Sequence, residues 1–228
     1  MATTFSSEPS DGGKKITGAV SSDETVSIPE SIDGTPVVSI GGRAFRNLRG
    51  SGGRTLTIPS GVRTSDPDAL ELSVNIRHIV YKGDFSTFST FKWYSECGCR
   101  VECEDFEYTF PAGHTLSFPE FDEEMLDAFH SDFDSVALNR LSEPRYLSEE
   151  CRDGYLKRMR RHSLELAQRA VANNDTGKLD GIFKAGILSD GDLQDILRMS
   201  LSSGKVASVS TVMSEINRRF HSAEDHTS

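Results

Sequence analysis

Polar and apolar residues alternate through Thr25-Val26-Ser27-Ile28 and stop at Pro29, and the same order returns in Thr55-Leu56-Thr57-Ile58-Pro59. A fainter third copy runs from Ile76 to Tyr81, with Ile79 in the place of Leu56. A period of two marks a strand with one buried face, and proline ends it by removing a ladder donor. After each of the first two strands come a Val, a polar stretch and then an Ala followed by a large apolar residue, Ala44-Phe45 and Ala69-Leu70. The repeating object is therefore a unit of strand, turn and inserted apolar residue. The offset of 23 residues from Leu56 to Ile79 is a solenoid period, and one such coil cannot bury its own apolar face. Val26, Ile28, Val38, Ile40, Phe45, Leu56, Ile58, Leu70, Ile76 and Ile79 are expected to be shared between neighbouring coils. Lys15–Val20 is expected as a short strand covering the front of the stack.

The run Ile28-Pro29-Glu30-Ser31-Ile32-Asp33-Gly34-Thr35-Pro36-Val37-Val38-Ser39-Ile40-Gly41-Gly42-Arg43-Ala44-Phe45 resembles the BspA-type leucine-rich repeat, whose units read strand-Ile-Pro, Val, then Ser-Ile-Gly-x-x-Ala-Phe. The second unit departs from that pattern, with Thr64-Ser65-Asp66-Pro67 where Ser-Ile-Gly would stand, and the third lacks Ala-Phe. The resemblance covers about residues 14–110. It implies a stacked solenoid whose extended surface binds other proteins, and also the alternative of a cell-surface adhesin, which would need an export signal ahead of this chain.

From Val101 to Asn139 the sequence holds eleven acidic residues, no Lys or Arg, and seven of the nineteen aromatics. Acidic runs without aromatics read as disorder, whereas aromatics this dense read as packing. Glu104–Phe118 is expected as two short extended pieces around Pro111-Ala112-Gly113. Phe121–Leu141 is expected as helix, with Met125, Phe129, Phe133, Val136 and Leu141 on one side. The acids form either a solvated face over an aromatic core or a docking surface for a basic partner.

Beyond Pro144 the rhythm is helical. Ser148 is placed to cap a helix carrying Cys151, Tyr155, Leu156 and Met159. Leu166, Ala167, Ala170 and Val171 either continue that helix or begin another. Thr176 is expected to cap a short helix through Leu179, Ile182 and Phe183 that Gly186 closes. Ser189 and Asp192 form a capping-box pair before Leu193, Ile196, Leu197 and Leu201, Gly204 ends that helix, and a last one carries Val206, Val209, Val212, Met213 and Ile216. Leu164-Glu165-Leu166-Ala167 with Lys178-Leu179-Asp180-Gly181-Ile182-Phe183-Lys184-Ala185-Gly186 is similar to an ankyrin helix pair, and Gly204-Lys205 echoes Gly177-Lys178, although Thr-Pro-Leu-His is absent. This resemblance implies partner binding. Bacterial proteins that join such repeats to a helical tail provide the comparison.

The chemistry of the sequence is sparse. Its 228 residues carry 25 Lys and Arg against 35 Asp and Glu, a net charge of −10, which disfavours the phosphate-neutralising surface that nucleic acid requires. No apolar run approaches a membrane span and no export signal is seen at the start, which points to a soluble, cytoplasmic protein without membrane insertion. G-x-S-x-G, the phosphate-loop motif, H-E-x-x-H and G-x-G-x-x-G are all missing. His78, His114, His130, His162, His221 and His226 are dispersed. Asp190-Gly191-Asp192 reads as helix capping in preference to a calcium loop, and Asn174-Asp175-Thr176 as a turn in preference to a glycosylation site. Cys97, Cys99 and Cys103, with His114 eleven positions on and Cys151 distant, read as reduced thiols near a strand, with a metal site or a disulfide as the alternatives. Lys157, Arg158, Arg160 and Arg161 crowd one helix and are expected to face the acidic 101–139 segment.

The expected fold class is α+β: a disordered tail over 1–13, a leucine-rich-repeat-like β-solenoid over 14–120, an ankyrin-like helical repeat domain over 121–221 and a disordered tail over 222–228. The expected function is a non-enzymatic protein–protein interaction scaffold with no catalytic, cofactor-binding or metal residues, for a protein or peptide partner. The alternative from another class is a metal or thiol protein using Cys97, Cys99 and Cys103.

Overall fold

A computed structural model describes residues 3–49, 52–73 and 75–224, with the backbone alone for 220–224. The chain divides within one helix into two units, residues 1–124 and 125–228.

In the first unit, strands β3 (Thr25–Ser27), β6 (Arg54–Ile58), β8 (Ile76–Tyr81) and β10 (Cys99–Glu102) lie side by side, all parallel. Their register places Val26, Leu56, Ile79 and Val101 in one row, each no more than 1% exposed. Ile28 donates its amide to Thr57 O at 2.9 Å, and Lys82 donates to Ile58 O at 2.9 Å, so the strand-Ile-Pro units stack. The stack is a β-solenoid of about four turns. A second face is built by β2 (Gly13–Val20), β5 (Thr35–Ile40) and β7 (Thr64–Ser65), again parallel, with Ile16 opposite Ile40 and Ile40 opposite Ser65; β4 (Ser31–Ile32) pairs antiparallel to β5. The aberrant Thr64-Ser65-Asp66 thus keeps the ladder that Ser-Ile-Gly would make. Ala44, Phe45, Ala69 and Leu70 are buried as inserted side chains, as the sequence pattern requires.

Two features of this unit differ from expectation. The stretch 1–13 contains β1 (Thr4–Ser10), antiparallel to β2, so the front cover is a hairpin. Its polar residues alternate between exposed and half-buried, and backbone pairing to β2 holds them. Val37, fully buried, takes the interior place assigned to Val38, whose side chain instead lies over Gly13.

At the back, β11 (Glu107–Phe110) turns antiparallel onto β10 and closes that end. The two pieces around Pro111-Ala112-Gly113 do not pair with each other: β12 (His114–Thr115) joins β9 (Tyr94–Ser95). Between β8 and β9, α1 (Phe85–Ser89) begins at Asp84, whose carboxylate accepts the Thr87 amide at 2.8 Å and is held below the usual range by that bond. Phe85, Phe88, Phe91, Trp93, Phe110, Phe118 and Phe121 are buried, many in edge-to-face pairs such as Phe110–Phe121 at 5.2 Å, 87°. Aromatic packing therefore takes up most of the acidic segment's rings.

The helix expected over Phe121–Leu141 is broken into α2 (Glu120–Asp127) and α3 (Phe133–Ser142), and Phe129, between them, is 88% exposed. Phe133 packs on Tyr155 with centroids 5.7 Å apart and carries the Arg158 guanidinium 3.9 Å over its ring; these contacts fix where α3 starts. Arg158 also donates to Ala128 O at 3.1 Å, and His162 meets Asp134 at 2.9 Å, while Lys157, Arg160 and Arg161 are exposed. Among the described residues, Arg158 is the member of the basic cluster that reaches the acidic stretch, through a carbonyl and a ring.

The helical unit continues with α4 (Glu149–Met159), α5 (Ser163–Ala172), α6 (Thr176–Lys184), α7 (Asp190–Ser202) and α8 (Val206–Glu224). Ser148 caps α4, and Ser189 with Asp192 makes a reciprocal capping box on α7. Asp175, one residue before Thr176, caps α6. Gly186 and Gly204 close α6 and α7 at φ +65° and +66°. Two hairpins stack, α5 on α7 and α6 on α8, with α3 against α4 and α6. Leu193, Ile196 and Val212 face inward, whereas Leu201, Val206 and Met213 are exposed on the last hairpin, outside the apolar stripe assigned to them. The tail expected over 222–228 belongs to α8 as far as Glu224; residues 225–228 lie outside the described residues. No helix among the described residues is long and apolar enough to cross a membrane.

Candidate functional site

Where the second and third coils meet, residues 67–73 and 92–97 enclose a cleft of about 390 Å³. Alternation makes one wall. In the segment around β9, Trp93 and Ser95 point inward, 1% and 6% exposed, so Tyr94 and Glu96 point out. The inward members are fixed: Trp93 Nε1 donates to Ser65 Oγ at 2.8 Å and to Asp66 O at 3.2 Å, and Ser95 Oγ donates to Cys97 O at 2.7 Å.

The opposite wall is the turn after β7. Asp66 anchors it: its carboxylate accepts the Gly42 amide at 2.9 Å and Lys15 Nζ at 2.8 Å, so one side chain joins β2 and the first two coils. The hydrogen bond from Lys15 holds the Asp66 carboxyl below its ordinary range, and the same bond raises Lys15. Leu70 is buried at the base, but Leu72 stands 65% exposed with φ +61°, a left-handed conformation uncommon for a non-glycine residue. Tyr94, 51% exposed, forms the other lip. Pro67, Ile76 and Cys97 complete the apolar lining.

Carboxylates outnumber cations along the lining. Asp68, Glu71 and Glu96 line the cleft with a single cation, Lys92, which is engaged by Glu120. Arg43 approaches Glu71 at 2.9 Å and Asp68 at 3.9 Å from outside the lining. Over residues 1–124 there are 11 Lys and Arg against 19 Asp and Glu, a net charge of −8.

The residues of the metal or thiol alternative do not assemble. Among the described residues no group of three or more His, Cys, Asp or Glu side chains is arranged to hold a metal ion. None of the four cysteines forms a disulfide; Cys99 and Cys151 are buried, Cys97 and Cys103 half-buried. Burial pushes the Cys99 and Cys103 thiols up to about 12, away from the thiolate that ligates metals or attacks carbon. His114 lies beside Glu124, Nδ1 to Oε2 3.2 Å, and His78 beside Glu102 at 3.2 Å. Asp190 accepts from Arg219 at 3.0 Å and Asp192 serves the capping box, so this pair acts in the helix start.

Leu72 and Tyr94 were given no role by the sequence. The one signal pointing to Tyr94 is the order Trp93-Tyr94-Ser95-Glu96, in which a strand must turn an aromatic to each face. In the helical unit, Ser142, Asp180, Lys184, Thr211, Ser214 and Arg218 line a polar hollow of about 710 Å³ along α3, α6 and α8. Comparison with family models, with curated proteins and with solved structures finds no match to this chain.

Proposed function

We propose that this chain is a non-enzymatic scaffold that binds a protein or peptide through its solenoid. The observation that carries this reading is the pair of outward apolar side chains, Leu72 and Tyr94, at the lips of a cleft fixed to the parallel stack. Exposed apolar surface around a concavity on a rigid support is the usual form of a recognition site. The finer identity we assign is a leucine-rich repeat of BspA type followed by ankyrin-like helix pairs. Supporting it are the Ser-Ile-Gly-x-x-Ala-Phe run of the first coil and the stacking of α5–α6 on α7–α8 with the Gly-Lys echo. A net charge of −8 on the solenoid unit favours a protein over a nucleic acid as partner. Four cysteines outside any disulfide suit a reducing, cytoplasmic compartment.

The test is cross-linking and affinity capture from source cells, followed by titration of the purified captured protein in a calorimeter. A saturable one-to-one isotherm is expected. Failure of every captured protein to bind in purified form would overturn the reading.

A further inference from the structure

We infer that the cleft between the second and third coils takes an extended peptide segment of the partner through an apolar side chain flanked by lysine or arginine. This rests on the partner-binding reading above and specifies its chemistry. The apolar half of the motif follows from the lining: Leu70, Ile76 and Pro67 at the base and walls, with Leu72 and Tyr94 reaching beyond the cavity. A volume of about 390 Å³ lies toward the small end of the range of about 300–1,000 Å³ for ligand clefts, which suits one or two side chains more than a cofactor.

A small molecule needs buried polar groups converging on it for orientation. The buried polar residue of this lining, Ser95, directs its hydroxyl to Cys97 O. The lips instead offer contact outside the cavity, as docking of an extended chain demands. The cationic half follows from charge. Of the three rim carboxylates, Glu71 and Asp68 meet Arg43 at 2.9 Å and 3.9 Å and Lys92 is held by Glu120, so Glu96, in no ion pair among the described residues, is the carboxylate offered to an incoming cation. Glu96 is exposed at the mouth, next in sequence to the inward Ser95. An acidic flank would meet repulsion both locally and from the unit's net charge of −8, whereas a basic one is attracted and its approach speeded.

Cys97 lines the same cleft and gives the readout. The rate of its modification by N-ethylmaleimide is measured on the full chain with three sets of end-blocked hexapeptides. One set carries Leu or Phe flanked by Arg or Lys, one Leu or Phe flanked by Asp or Glu, and one Ser flanked by Arg or Lys. Only the first set is expected to slow Cys97, by about tenfold at about ten times its Kd, because only the unoccupied fraction reacts. The protection should weaken at high salt. Leu72→Asp with Tyr94→Ser should abolish it and Glu96→Lys should reduce it, with Cys99 still protected as the sign of an intact fold. Equal protection by the second or third set, protection unchanged in these variants, or no protection by any set would overturn the inference. Affinity capture separates this from the broader reading. If the wild type and Leu72→Asp/Tyr94→Ser retain the same partner with equal affinity, the cleft inference fails and the scaffold reading stands. If neither retains one, both fail.

Discussion

The indole of Trp93 donates to the hydroxyl of Ser65 at 2.8 Å, tying the third coil to the second and, by alternation, turning Tyr94 out to the cleft. Trp93→Phe keeps a ring in the aromatic cluster but removes this donor and leaves a void. It is expected to cost about 1–3 kcal/mol, as a lost buried hydrogen bond does, and to raise the reactivity of Cys97. Urea denaturation followed by far-UV circular dichroism, with thiol labelling alongside, checks both.

Gly13 is set by close approach. A Cβ built there would lie 2.3 Å from the backbone carbonyl of Pro36 and 2.9 Å from Val38 Cγ1. Gly13→Ala should force β2 away from β5 and cost about 1–3 kcal/mol, as overpacking does. Gly18→Ala, whose new atom would lie 3.5 Å from Ser6 Cβ, is expected to be tolerated. Thermal unfolding of the two variants side by side distinguishes them.

The Lys15–Asp66 pair gives the solenoid unit a pH window. Asp66 is lowered in the folded state, so its contribution is present above the unfolded carboxylate range, about pH 4, and is lost as pH falls through the folded value. Lys15 is raised, so its contribution is present below about pH 10 and is lost as pH climbs through the folded value. Both side chains are partly exposed, so the effect is small and salt-sensitive. Asp66→Asn should flatten the acid side of the stability profile, measured by urea midpoints at stepped pH.

Thiol reactivity should be ordered. Brief alkylation near pH 8 is expected to modify Cys97 first and to spare Cys99, whose buried thiol is pushed up to about 12. Since the unfolded thiol ionises near pH 8.5, the stability contributed by a neutral Cys99 is present below that value and falls as pH rises toward 12. Peptide mass mapping after the pulse reads the order.

In the helical unit, Ser189→Ala removes the hydroxyl that accepts the Asp192 amide at 3.2 Å and should cost about 1 kcal/mol. Ser189→Asp, which keeps an acceptor at the cap, should recover most of it. Denaturant midpoints of the three proteins decide.

The strands β3 and β6 were readable because alternation, the closing prolines and the echo agree on them, and β8 because the echo carries Ile79 into the place of Leu56. The caps of α4 and α7 were readable because Ser148 and Ser189 each precede an apolar stripe. The strand β1 was not, since Thr4–Ser10 is polar and is held by backbone pairing that leaves no mark in hydrophobic spacing. Helical spacing also ran through Phe129, because periodicity does not register that Phe133 is tied to Tyr155 and Arg158. Nor could the cleft be seen: Leu72 and Tyr94 lie twenty-two positions apart and become neighbouring lips once one coil is laid on the next.

Everything said of the cleft depends on the row Val26, Leu56, Ile79 and Val101 running from coil to coil. Methyl nuclear Overhauser spectra of selectively labelled protein test it most directly. The expected result is an unbroken chain of cross-peaks, Val26 to Leu56, Leu56 to Ile79 and Ile79 to Val101. A missing Leu56–Ile79 cross-peak, with both methyls assigned and well resolved, would contradict the stack.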